Sequence, residues 1–315
     1  MSATGYTPRM NTTGMPVPIE RVSLPAAVID LSRGRQAMLS VAQPALGALL
    51  AAGGLPAPWR IVVGLVAASA GYLAVFSLND VLDRRVDEAA LGQAQQAGGF
   101  DIDTVAVRHP LARGDLGAGV SIAWVASLGV VSAVCAYVLA PICLALFGVA
   151  VALEVAYCSL RSVTWAKTFV SGLMVAVGGL AGWAAVAPLS AAAVPFLVFL
   201  AAWEIAGRNL PNDLADVSAD SAVGIRTVAT VFGPRVSAAA TLAGAAATLA
   251  AVLFLRVSPV LLTVWGALAL VTMVLPAVRL ARRPDPEGAG AYFNSASLLP
   301  ALMFAAALVL LAIGV

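Results

Sequence analysis

Nine apolar stretches of roughly twenty residues run through this 315-residue chain, at 33–53, 59–79, 117–139, 141–158, 167–187, 191–210, 235–256, 258–279 and 293–314. About 20 helical residues at 1.5 Å rise cross a ~30 Å hydrocarbon core. In lipid the backbone must satisfy its own hydrogen bonds, which leaves helices or closed barrels. The stretches are rich in Ala, Leu and Val and show no strand-like alternation. They predict an all-α polytopic membrane protein of nine transmembrane helices. Composition agrees: 61% of residues are hydrophobic and 11% charged, against about 25% charged in soluble domains. No nucleic-acid partner is expected; the first partner is the lipid bilayer.

Charge sets the orientation. With the N-terminus in the cytoplasm, only Arg60 and Arg256 fall outside, and the other 16 of the 18 basic residues lie inside or at the inner boundary. That is a strong positive-inside bias. It predicts a bacterial-type inner or plasma membrane protein with its C-terminus outside. Residues 1–22 are Thr-, Met- and Pro-rich without hydrophobic period and read as a disordered cytosolic tail, dispensable for activity, ahead of a membrane domain at 23–315. Breaks at Pro141 and Pro188 mark tight turns. Gly178, Gly179 and Gly182 are expected at a helix contact, where small residues allow close approach.

One spelling occurs twice where an apolar stretch runs out into water. Asn79-Asp80-x-x-Asp83-x-x-x-Asp87 and Asn212-Asp213-x-x-Asp216-x-x-x-Asp220 share the pattern N-D-x-x-D-x-x-x-D. On a helix, positions i, i+3 and i+7 share a face, so each copy projects three carboxylates in one stripe. Like charges so placed repel, and a hard cation between the stripes removes the conflict. Magnesium takes a few carboxylate oxygens and keeps positions open for substrate phosphates. These six residues are over a third of the 16 acids in the chain. Two similar motifs four helices apart suggest an internal pseudo-repeat, with both stripes facing one cavity from the cytoplasmic side.

Cations accompany the stripes. Arg84 and Arg85 lie within the first, Arg108 and Arg113 follow in the same loop, and Arg161, Lys167, Arg208 and Arg226 occupy the other inner loops. A diphosphate bridged to magnesium needs its outer oxygens neutralised, which Arg does bidentately. Arg161 and Lys167, the only lysine in the chain, are the first candidates because their loop is short. A carboxylate–magnesium site that opens into an apolar bundle suits an amphiphile with a diphosphate head, such as a polyprenyl diphosphate. Magnesium and basic residues would stabilise the departing diphosphate, and a nearby nucleophile would capture the allylic cation in a cavity that excludes water.

Glu154 and Glu204 fall inside apolar stretches, where an ionisable residue is a functional candidate. Either could orient or deprotonate an acceptor hydroxyl; the alternative is a carboxylate paired with an arginine such as Arg161 or Arg208. Cys135, Cys143 and Cys158 lack metal-type spacing and read as packing residues, and His109, the only histidine, excludes a multi-histidine metal site. Trp124, Trp165, Trp183 and Trp203 read as interfacial or packing residues.

At these residues the sequence resembles the UbiA superfamily of intramembrane prenyltransferases. Asn79-Asp80-x-x-Asp83-x-x-x-Asp87 is similar to the family's first aspartate-rich motif, and Asp213-x-x-Asp216-x-x-x-Asp220 with Gly224-Ile225-Arg226-Thr227 to its second. Arg108-His109-Pro110-Leu111-Ala112-Arg113-Gly114 resembles the R-P-x-x-x-G element. Tyr157-Cys158-Ser159-Leu160-Arg161 with Thr164-Trp165 resembles the Y-x-x-x-K-R element. Two departures stand out: the loop from Glu88 to Val107 is longer than usual and lacks an Asn-Pro or Asn-x-x-Thr stretch, and His109 interrupts Arg-Pro. The resemblance implies a bundle around a central cavity and Mg2+ as cofactor. It implies catalytic and metal-holding roles for Asp80, Asp83, Asp87, Asp213, Asp216 and Asp220, with Asn79 also at the metal. Asn79, Arg84, Arg113, Tyr157, Arg161, Lys167 and Asn212 would bind the diphosphate. It further implies transfer of the isoprenyl chain to a lipophilic acceptor, most plausibly an aromatic quinone precursor. A tetrapyrrole acceptor, a glycerol-lipid acceptor, terpene cyclisation, or a cation or metabolite transporter are the competing readings.

Overall fold

The computed structural model describes residues 22–90 and 109–314. The expected tail, but for Val22, and the Glu88–Val107 loop after Ala90, with Arg108, lie outside these residues. The described chain is helical throughout: α1 Leu24–Leu31, α2 Gly34–Ser40, α3 Ala42–Ala52, α4 Pro58–Ala90, α5 Ala118–Leu139, α6 Pro141–Leu160, α7 Lys167–Ala184 and α8 Val194–Trp203. A π-helical turn at Glu204–Asn209 carries α8 into α9 Leu210–Ala215, followed by α10 Val217–Ala222, α11 Val228–Phe232 and α12 Pro234–Leu253. A second π turn at Leu270–Val274 joins α13 Pro259–Ala269 to α14 Leu275–Arg282, and α15 Pro286–Ser297 and α16 Leu299–Ala312 close the chain.

Among the described residues, eight helical runs are long and apolar enough to span a membrane. The expected first span, 33–53, is instead split at Val41 into α2 and α3. Pro44 explains the break, because it has no N–H for the carbonyl of Ser40 and its ring crowds that carbonyl. The same rule operates elsewhere, with compensation. Pro300 frees the carbonyl of Ala296, which accepts from Trp203 Nε1 at 2.8 Å. Pro276 frees the carbonyl of Thr272, which accepts from Ser295 Oγ at 3.1 Å. A side chain from a neighbouring helix thus takes up each freed acceptor, as a lipid-embedded backbone requires.

Packing follows the small residues. A Cβ on Gly182 would overlap the Pro44 carbonyl, one on Gly179 would strike Leu200, and one on Gly178 would lie 3.2 Å from the Tyr72 hydroxyl. All three are helix contacts, as the sequence predicts. The main core gathers Leu46, Phe196, Phe199, Trp203, Trp265, Met273 and Leu299 from α3, α8, α13, α16 and the second π turn. Outward, α5 presents Val130, Val134, Tyr137 and Val138, each more than half exposed. Such an apolar exterior is stable only against lipid. Arg60 donates to the Ala185 carbonyl at one end of the bundle, and both aspartate motifs end their helices at the other.

Candidate active site

The first motif lies wholly on α4, a single 33-residue helix. Asp80, Asp83 and Asp87 therefore share one face, as their spacing predicts. Asp80 is buried, and each carboxylate meets a basic group from a different segment. Arg33 Nη2 lies 3.9 Å from Asp80 Oδ1 and donates to Asn79 Oδ1 at 3.3 Å. Arg161 forms an ion pair with Asp83. His109 Nδ1 lies 3.0 Å from Asp87 Oδ2 and 3.9 Å from Asp80 Oδ1. Burial disfavours the His109 imidazolium, but the adjoining Asp87 and Asp80 carboxylates outweigh it and raise its pKa.

The second motif departs from the expected unbroken stripe. Asp213 sits on α9 and Asp220 on α10, and Asp216 between them has φ −97° and ψ 12°, outside the helix. Asp216-Val217-Ser218 and Asp220-Ser221 are poor helix formers whose side chains compete for backbone groups. Spacing is nevertheless kept, since Asp216 N–H donates to the Asn212 carbonyl at 3.0 Å and Asp220 N–H to that of Asp216 at 2.9 Å. The Asp220 carboxyl is pushed up to about 8 by burial and by the charges of Asp213 and Asp216. This is the repulsion that a cation relieves.

One helix joins the two motifs. From α6, Glu154 Oε1 accepts from Asn79 Nδ2 at 2.8 Å, and Cys158 Sγ lies 3.3 Å from the same amide nitrogen. One turn on, Tyr157 Oη takes hydrogen bonds from Lys167 Nζ and Asn209 Nδ2, both at 3.1 Å. Lys167, itself 3% exposed, places Nζ 3.2 Å from Asp213 Oδ1. At the end of α6, Arg161 pairs with Asp83 while its carbonyl accepts from the Arg226 N–H at 2.8 Å. Successive turns of α6 thus touch both motifs, and α10 packs on α4.

The structure therefore brings together Asn79, the six aspartates, Tyr157, Arg161 and Lys167. Three others stand apart: Arg84 pairs with Glu88 at 2.8 Å on the exposed side of α4, Arg113 pairs with Asp115 at 3.0 Å, and Asn212 contributes its backbone carbonyl. Of the two acid candidates, Glu204 is held by Ser171 Oγ at 2.8 Å and Arg208 Nη1 at 3.4 Å, the paired arrangement. Glu154 Oε1 instead accepts from Asn79 Nδ2 at 2.8 Å and lies 3.4 Å from Cys158 Sγ. Trp203 and Trp183 are buried packing residues. Arg33, His109 and Asn209 belong to the site although spacing alone does not mark them. His109 carried one signal, its place inside an otherwise regular basic element.

The donor set fits a hard divalent cation: carboxylate oxygens from two motifs, with Asp220 destabilised by its neighbours. Comparison with known proteins bears on the same residues. A sequence model of the UbiA prenyltransferase family matches residues 41–308, and no curated protein matches the chain. An apo UbiA homologue from Aeropyrum pernix K1 superposes with TM-score 0.71 at 18% identity, over 87% of this chain and 97% of that one. A UbiA homologue from Archaeoglobus fulgidus bound to DMAPP and Mg2+ gives TM-score 0.65 at 16% identity, over 90% and 99%. A digeranylgeranylglyceryl phosphate synthase structure gives 0.62 at 13%, over 90% and 96%. At these identities the likeness establishes the fold.

Proposed function

This chain is an integral membrane protein that belongs to the UbiA prenyltransferase family, and from that premise we propose that it ionises a polyprenyl diphosphate at the paired aspartate motifs and transfers the isoprenyl chain to a lipophilic acceptor, first an aromatic quinone precursor. The observation that carries this reading is the bridging by α6, which ties Asp83 to Arg161 and Asp213 to Tyr157 and Lys167 in one cluster. The Archaeoglobus homologue bound to DMAPP and Mg2+ supports the choice of donor and metal.

Asn79, Asp80, Asp83 and Asp87 on one side and Asp213, Asp216 and Asp220 on the other would hold magnesium, which when bound neutralises charge that develops on the leaving diphosphate. Arg161 and Lys167 supply fixed positive charge at the same place. Because Lys167 is buried and already oriented by Tyr157 and Asp213, it needs little reorganisation as charge develops. Tyr157 accepts two hydrogen bonds through its oxygen, which leaves its own proton to donate. The apolar helices around the site keep water from the allylic cation. Glu154, held by Asn79 against the first motif, is the group placed to orient an acceptor hydroxyl.

In this proposal the site and the N-terminus face the cytoplasm and the C-terminus lies outside, a reading supported by the distribution of the basic residues. The test is a coupled assay in lipid: geranyl, geranylgeranyl and longer diphosphates against 4-hydroxybenzoate, dihydroxynaphthoate and a glycerol-phosphate ether lipid. Magnesium-dependent prenylation of an aromatic acceptor is expected. Product from the glycerol lipid alone would reassign the acceptor class, and release of cyclised hydrocarbon without acceptor would make the protein a cyclase.

A further inference from the structure

The first motif differs from its twin in a way the aspartate spelling hides. Asp80, Asp87 and His109 each direct one ligand-type atom into a common space, with all three atoms within 4.8 Å of one another. His109 Nδ1 is shielded from solvent and faces Asp87 Oδ2 at 3.0 Å and Asp80 Oδ1 at 3.9 Å. Two acidic oxygens and an imidazole nitrogen around one point form a mixed N/O set. Hard magnesium strongly favours oxygen, whereas imidazole suits borderline transition-metal dications. The second motif gathers its carboxylates with Lys167 and the Tyr157 hydroxyl and has no imidazole, because His109 is the only histidine in the chain.

We propose that His109 is a metal ligand of the first motif, so that this position favours a transition-metal dication, for which Mn2+ serves as the spectroscopic probe, over the magnesium that its carboxylates alone would take, while the second motif remains an all-oxygen magnesium position. The proposal rests on the reading of the aspartate motifs as cation sites. In it, the residue that breaks Arg108-Pro110 apart in the basic element is what moves a nitrogen onto Asp80 and Asp87. The turn from His109 to Gly114 is built for this placement. His109 adopts φ 53°, a left-handed conformation sparsely used by residues other than glycine, and the N–H groups of Arg113 and Asp115 return to the carbonyls of His109 and Pro110 at 3.0 and 2.9 Å.

A spectroscopic test is available because His109 is the only histidine in the chain. Full-length protein in nanodiscs, freed of any histidine tag, is loaded with Mn2+ and measured by pulsed electron paramagnetic resonance for 14N coupling. An imidazole nitrogen coupling is expected in the wild-type protein, and any such signal belongs to His109. In His109→Gln the coupling should vanish, Mn2+ affinity by equilibrium dialysis should fall at least about tenfold, and Mg2+ affinity should hold within about twofold. Bound Mn2+ without nitrogen coupling in wild-type protein overturns the proposal while leaving the cation-site reading intact, with His109 then a counter-charge to Asp87. Folded protein that binds neither Mn2+ nor Mg2+ overturns the cation-site reading and this proposal together. The wild-type spectrum decides the ligand even where the variant misfolds.

Discussion

The two aspartate motifs are spelled alike and built differently. The first rides on one continuous helix, and three separate segments send it Arg33, His109 and Arg161. The second straddles a break at Asp216, and its deepest carboxylate, Asp213, pairs with the buried Lys167. Carboxylates of the first are met by partners near the aqueous end of α4. In the second, burial and mutual repulsion push Asp220 up to about 8. Identical spacing therefore fixes how many carboxylates arrive, whereas the surrounding segments fix how much charge remains for a cation to balance.

The sharpest way to break this contrast is at Lys167. Lys167→Met would leave Asp213 as an uncompensated buried charge, and a loss of about 3–5 kcal/mol of stability is expected, read by thermal unfolding in detergent. Adding Asp213→Asn should restore most of it. Arg161→Met, whose partner is less buried, should cost less. Equal losses at both positions would erase the distinction between the motifs.

Next in size are the carboxylates. Asp83→Ala and Asp216→Ala should each lower diphosphate release on the order of 100- to 1000-fold, measured with radiolabelled donor in nanodiscs. A large loss in one variant and none in the other would show that a single motif suffices.

Glu154→Gln separates the two half-reactions. Diphosphate release should stay within about twofold, while coupled transfer falls on the order of 100-fold if the carboxylate acts on the acceptor proton. Equal decline in both would make Glu154 a support for Asn79 and nothing more. The smallest effect is expected at Arg84→Ala. Its exposed pair with Glu88 is worth well under about 1 kcal/mol, and turnover should change less than about twofold. A large loss there would mean that the exposed side of α4 also handles substrate.

Much of this was legible in the sequence because lipid leaves so few options. Apolar length gave the helices, and helical spacing placed Asp80, Asp83 and Asp87 on one face. What the sequence hid has a common cause: local backbone events depend on residues four positions away or on another helix. Pro44 splits the first span at Val41, and weak helix formers interrupt the second stripe at Asp216. Partner choice was hidden as well. Helical i,i+4 spacing permits the Arg84–Glu88 and Glu204–Arg208 pairs, but nothing in it says that Arg33, His109 and Asn209 reach the site. Those outcomes follow from how α2, α4, α6 and the π turn pack, which a linear pattern does not contain.

The most direct test of the account is diphosphate release by the purified wild-type protein in lipid, across donors of increasing chain length, with and without magnesium. Magnesium-dependent release, lost on chelation and restored by adding the metal back, is the predicted result. No release from any donor by folded, metal-supplied protein would contradict the claim that the two motifs and α6 form one ionisation site.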